Sequence, residues 1–205
     1  MFKEIHRYME SITPARPAVL REMEQYAADE GFPIVGPLVG RLLYQFATLV
    51  KAKRIMELGS GFGYSAYWFS LAIGSRGHIV MTDGDKAKKR RAMDYFKRAG
   101  LDTKFDFRVG DALRTIKKQE GPFDIIFNDI DKKDYPKTIE LVAPRLRRGG
   151  LFITDNVIWD GKVAKREADE TTDAIKEFNQ TLYHDGRFFT TIMPVRDGVS
   201  IAVRT

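Results

Sequence analysis

Apolar residues along the chain change rhythm once, near residue 50. Before that point they recur at helical spacing. Ala18, Leu20, Met23, Tyr26 and Ala27 follow Pro17, and Leu38, Leu42, Phe46 and Leu49 share one face after Pro37. This predicts a helical prelude over residues 1–50. From Lys53 onward, short apolar runs alternate with longer amphipathic stretches, and RIMEL, HIVMT, KFDFRV, FDIIF and LFIT are the predicted strands. Such alternation calls for a parallel sheet covered by helices on both faces. The tail departs from it. RFFTTIM and GVSIAVRT are joined by the short PVRD connection with an Asp197–Gly198 turn, which predicts an antiparallel hairpin closing the sheet. The expected fold is α/β: a doubly wound, mostly parallel seven-stranded sheet of Rossmann type.

Composition narrows this to one domain. A chain of 205 residues with 43% hydrophobic content supports one sizeable core. The reading is a single domain over 1–205, with the prelude at 1–50 and the Rossmann-like core at 51–205. There is no cysteine, so disulfides, thiolate nucleophiles and cysteine zinc sites are excluded. No window approaches the ~20 apolar residues of a membrane span, and no leader pattern opens the sequence. A cytoplasmic protein is expected. The net charge of +6 permits a phosphate or RNA partner without requiring one.

The stretch MELGSGFGYS, residues 56–65, follows the first strand and opens a helix, where doubly wound folds bind nucleotides. Glycines alone serve any tight turn. The details say more. A dinucleotide loop wants G-x-G-x-x-G, yet after Gly59 and Gly61 the third place holds Tyr64, with Gly63 one position early. Glu57 precedes the loop, where a carboxylate repels a pyrophosphate but can hold a ligand's ammonium group. That favours S-adenosylmethionine over NAD. The second strand ends on Asp83, placed to accept hydrogen bonds from ribose hydroxyls. Asp85 is the reserve, and equally a helix cap. After the third strand, Asp111 and Ala112 fall beside the expected adenine position, with Asp111 as readily an N-cap.

FDIIF and LFIT end on the same rim as this loop, so Asp129, Asp131, Asp155 and Asn156 should converge there. Two carboxylates and an amide carbonyl are hard oxygen donors suited to Mg²⁺ or Ca²⁺. Without a cation, carboxylates so close repel. Trp159 beside them is a substrate wall or a packing residue. His6, His78 and His184 fall in no ligand spacing, and Tyr67, Trp68 and Phe69 read as core.

Nearly the whole chain resembles the cation-dependent catechol and caffeoyl-CoA O-methyltransferases in their small bacterial form. The motifs that carry the resemblance are MELGSGFGYS, NDIDKKDYP, ITDNVIWDGKV and DGVSIAV. The resemblance implies metal ligation by Asp129, Asp155 and Asn156, with Mg²⁺ first and Mn²⁺ or Ca²⁺ as alternatives. It implies S-adenosylmethionine contacts at Val35, Glu57, Gly59, Ser60, Ser65, Asp83, Ala112 and Asp131. It makes Lys132 the general base and suggests a homodimer. Two positions depart from the family. Asn128 stands where an apolar residue is usual, and Asp160 where the plant enzymes carry a substrate-binding Asn.

The implied reaction moves a methyl group in line from a sulfonium to one hydroxyl of a vicinal diol, a catechol or hydroxylated phenylpropanoid. A chelating cation lowers that hydroxyl's pKa from ~10, and Lys132 accepts the proton if the cation or burial depresses its own pKa. A second reading is methylation of a hydroxylated tRNA base. The basic helix with Lys88, Lys89, Arg90 and Arg91, and the cluster Arg145, Arg147 and Arg148, would then grip phosphates.

Overall fold

The computed structural model describes residues 2–166 and 169–205. The seven strands are β1 (Arg54–Leu58), β2 (His78–Asp83), β3 (Lys104–Val109), β4 (Phe123–Asn128), β5 (Leu146–Thr154), β6 (Phe188–Met193) and β7 (Val199–Arg204). They form one sheet in the order β3-β2-β1-β4-β5-β7-β6. The first five run parallel to their neighbours, while β7 inserts antiparallel between β5 and β6. All seven predicted strands are present. The fifth is longer than LFIT, because the chain already pairs with β4 at Leu146.

Side chains of each strand alternate between two buried layers. Ile55, Ile79, Ile125 and Phe127 face α2 (Ala18–Asp29), α3 (Gly36–Leu49), α4 (Tyr64–Ile73) and α5 (Lys86–Arg98). Met56, Val80, Ile126 and Phe152 face α6 (Ala112–Lys117), α7 (Tyr135–Val142) and α8 (Glu170–His184). Tyr67, Trp68 and Phe69 are buried in the first layer, as their sequence predicts. A further helix, α1 (Phe2–Ser11), opens the chain. No helix among the described residues is long and apolar enough to cross a membrane.

The prelude is helical as expected, but α3 buries a different face. Its buried residues are Gly36, Val39, Gly40, Leu43 and Ala47, while Leu49 is 74% exposed. The cause is close packing on α4. A Cβ on Gly40 would stand 2.3 Å from Trp68 Nε1, so the helices meet where side chains are smallest. Counting large apolar residues misses such a stripe.

Helices cross from β1 to opposite sides of the sheet, since β1 lies between β2 and β4. A crevice therefore opens beyond the carboxyl ends of β1 and β4. Because β7 is antiparallel to β5, it starts where β5 ends, and the β6–β7 turn joins the same rim.

Candidate active site

A cavity of about 250 Å³ occupies that crevice. Residues 32–35 form one wall, and the loop after β1 forms the floor. Gly59 has φ +81°, and a Cβ there would lie 2.5 Å from the Asp129 carbonyl oxygen. Only glycine lets the loops after β1 and β4 touch. The contact is pinned from both sides. Asp129 N donates to Leu58 O (2.9 Å), Ser60 N to Thr82 O (2.7 Å) and Gly59 N to Thr82 Oγ1 (3.1 Å).

Glu57 is fully buried behind this loop, and neither carboxylate oxygen has a partner of ordinary geometry. Burial pushes its pKa up to about 7, eased by the nearby Ser65 and Ser60 hydroxyls and raised further by Asp129. Leaving a buried carboxylate unpaired is costly, and a cationic ligand group would satisfy it. Asp83 lines the cavity one strand away. Its Oδ1 accepts from Asp85 N (2.8 Å), and its Oδ2 pairs with Lys88 Nζ at 3.3 Å. Lys88 also stands 4.8 Å over the Phe32 ring, closing that end of the cleft. Asp85 caps α5 by accepting from Ala87 N at 2.7 Å.

Asp129, Lys132, Asp155, Asn156 and Arg196 line the other end. Lys132 Nζ donates to Asp129 Oδ1 at 2.7 Å and to Ile130 O at 3.3 Å. Burial raises the pKa of Asp129 against the pull of Lys132, and burial with the Asp129 charge lifts Asp155 to about 7. Asp155 Oδ1 is buried and unpartnered. Tyr135 steadies this loop from below, its hydroxyl donating to Asp155 O at 2.9 Å. Among the described residues no three His, Cys, Asp or Glu gather as a metal set. The available hard donors are two carboxylates and the Asn156 amide.

Comparison with known proteins gives this arrangement a family. The model of the family described as "O-methyltransferase" matches residues 10–205. The chain belongs to the O-methyltransferase family. It is 29% identical to the catechol O-methyltransferase of Niastella koreensis, over 99% of this chain and 97% of that one. It is 30% identical to the caffeoyl-CoA O-methyltransferase of Medicago sativa, over 95% of this chain and 85% of the relative. The O-methyltransferase from Bacillus cereus, solved in complex with SAH, superposes with a TM-score of 0.87 at 26% identity, covering 98% and 97% of the two chains. The protein is an S-adenosylmethionine-dependent O-methyltransferase of catechol and caffeoyl-CoA type.

Not every residue singled out in the sequence of this O-methyltransferase reaches the cavity wall. Val35, Gly59, Ser60, Ser65, Asp83, Asp129, Lys132, Asp155 and Asn156 do, with Glu57 just behind. Asp111 is exposed and caps α6 by accepting from Arg114 N at 2.6 Å, which leaves Ala112 in the first turn of that helix. Asp131 accepts from Lys133 N at 3.1 Å and caps the turn that carries Lys132. Trp159 packs against the α6–α8 layer, and Asp160 is exposed, its N–H donating to the Asp197 carboxylate. Sequence reasoning missed Arg196 and Phe32 and gave Lys88 another task. The signal for Arg196 was available, because an antiparallel closing hairpin must return its turn to the rim of β5.

Proposed function

We propose that this O-methyltransferase methylates one hydroxyl of a vicinal diol of catechol type, with a divalent cation, Mg²⁺ first, held by Asp129, Asp155 and Asn156. The observation that carries the reading is the buried, unpartnered Asp155 Oδ1 sharing a cavity with Asp129. Both carboxyls resist ionisation in isolation, and their donor chemistry suits a hard cation. Such a cation would lower the pKa of a chelated hydroxyl.

The remaining work falls to the chain. Glu57 takes the ammonium of S-adenosylmethionine, Asp83 its ribose hydroxyls, and Val35, Gly59, Ser60 and Ser65 shape the cleft around it. Lys132 Nζ, its ion pair with Asp129 opened and its own proton first lost to solvent, accepts the hydroxyl proton. Attack on a sulfonium cancels charge, so alignment and exclusion of water govern the rate more than an oxyanion hole does. Residues 32–35 over the cleft serve that exclusion.

An RNA acceptor is less well served. Lys88 pairs with Asp83, Lys89 donates to Phe107 O, Arg91 stacks on Tyr26, Arg145 donates to Leu141 O and Arg147 binds Asp124. These cations are already engaged within the protein.

The test is labelled S-adenosylmethionine with Mg²⁺, offered a catechol panel and, separately, total tRNA. Label should enter the catechols. Asp129→Ala should abolish Mg²⁺-stimulated turnover while SAH affinity stays within about threefold. Full activity of that variant in chelator would overturn the metal assignment.

A further inference from the structure

Among the described residues, four of the five non-glycine residues with left-handed backbone lie on the two loops that border this site: Asn156 (φ 57°) and Arg196 (51°), which line the cavity, and Trp159 (52°) and Asp160 (50°), which do not. The two loops brace each other. Val157 N donates to Gly198 O (3.1 Å), Ile158 N to Asp197 O (2.8 Å) and Asp160 N to the Asp197 carboxylate. Gly198 makes room for Ile158, since a Cβ there would lie 2.3 Å from Ile158 Cγ1. A turn so fixed can hold a side chain in a conformation that glycine would adopt without strain.

What the strain secures is the place of the Arg196 guanidinium. It stands at the cavity wall, with Nη1 donating to Ile34 O at 2.6 Å. Gly36 leaves the space, because a Cβ there would come within 3.1 Å of Nη1. A guanidinium has five N–H donors. Among the described residues it makes no second hydrogen bond and no ion pair, although Asp129 and Asp155 lie within electrostatic reach. Arg196 is exposed, so its remaining donors are open to a ligand.

The charges at this end favour an anion. With Lys132 neutral as the base, Asp129 and Asp155 face the charge of Arg196 alone, so a divalent cation held by these carboxylates would leave a surplus of one positive charge. Methyl transfer does not need that surplus, whereas an acceptor bearing its own negative group would neutralise it. Arginine's planar fork suits carboxylate and phosphate oxygens.

We propose that Arg196 binds an anionic group, carboxylate or phosphate, on the methyl acceptor, and so selects anionic vicinal diols over neutral ones. This rests on the vicinal-diol reading of the site.

The experiment compares kcat/KM for catechol, 3,4-dihydroxybenzoate and 3,4-dihydroxybenzyl phosphate at fixed Mg²⁺ and saturating S-adenosylmethionine. The wild type should favour at least one anionic diol over catechol by roughly tenfold or more, mainly in KM. The better of the two identifies the anion. Arg196→Gly, which also relieves the backbone, should bring the ratio near one, and Arg196→Lys should retain part of it. SAH titration of each variant checks that the fold is intact. A wild-type ratio near one, or a ratio unchanged in Arg196→Gly, overturns the proposal while leaving the diol reading standing. No turnover of any diol overturns both.

Discussion

Gly59 and Asp129 are in backbone contact: a Cβ on the glycine would lie 2.5 Å from the aspartate's carbonyl oxygen. The cofactor loop and the first site carboxylate are therefore one rigid unit, built where β1 and β4 end side by side. Gly59→Ala has to separate them and also place an L side chain at φ +81°. We expect a loss of about 2 kcal/mol in stability and a fall of roughly tenfold or more in SAH affinity. Thermal melting and calorimetric titration would check this, and wild-type values for both would show that the two loops move independently.

Glu57 gives the free protein a pH dependence of definite sign. Burial raises its pKa from 4.5 to about 7. The folded state thus binds this proton more tightly than the unfolded chain, and the stability it contributes below pH 4.5 is lost as pH rises through 7. The loss amounts to about 3 kcal/mol. Glu57→Gln should flatten this group's part of the stability profile between pH 4.5 and 8 and weaken S-adenosylmethionine binding. Parallel profiles for the two proteins, measured by denaturant titration, would remove Glu57 from this role.

The strands, the rim and the convergence of NDID with TDN were legible because hydrophobic period and parallel topology determine which ends share an edge. Side-chain occupation was not. Asp111 and Asp131 carry the right residue type beside the site, and each also accepts a backbone N–H as a cap through Oδ1, a local role that spacing does not reveal. Asn128 remains the exception. It is fully buried with both amide atoms unpartnered, between Leu58 and Thr154 in register. The structure gives no reason for an amide there.

Lys132 is the base we propose for the reaction, and its removal separates chemistry from binding. Its Nζ is held 2.7 Å from Asp129 Oδ1 on the turn that Asp131 caps. Lys132→Met keeps most of the unbranched side chain and deletes the proton acceptor. We expect kcat to fall by roughly 10²–10⁴ with SAH affinity changed by less than about threefold. A rise in KM with kcat unchanged would make Lys132 a substrate contact instead.

At the amino-terminal ends of the central strands, opposite the site, Asp124 joins β1, β4 and β5 without touching it. Its Oδ2 accepts from Lys53 N and Arg54 N, both at 2.8 Å, and its Oδ1 from Arg147 Nε at 2.6 Å. Arg147 Nη2 carries the link on to Val50 O at 2.9 Å. Burial pushes the Asp124 carboxyl up, but Arg147 and the two backbone N–H groups outweigh it and hold the pKa below 3.8. The folded state therefore favours the ionised form, so the stabilisation is present above pH 3.8 and disappears as pH falls through the lower folded value. Asp124→Asn loses the charge and one acceptor oxygen, which should cost about 2 kcal/mol at pH 7. The gap from wild type should narrow in acid. Denaturant titration at pH 7 and at about pH 3, with catechol turnover as control, tests this. Turnover should hold, because neither the cofactor loop nor the site carboxylates rest on this corner. A gap that stayed constant with pH would assign the loss to packing and not to the carboxylate.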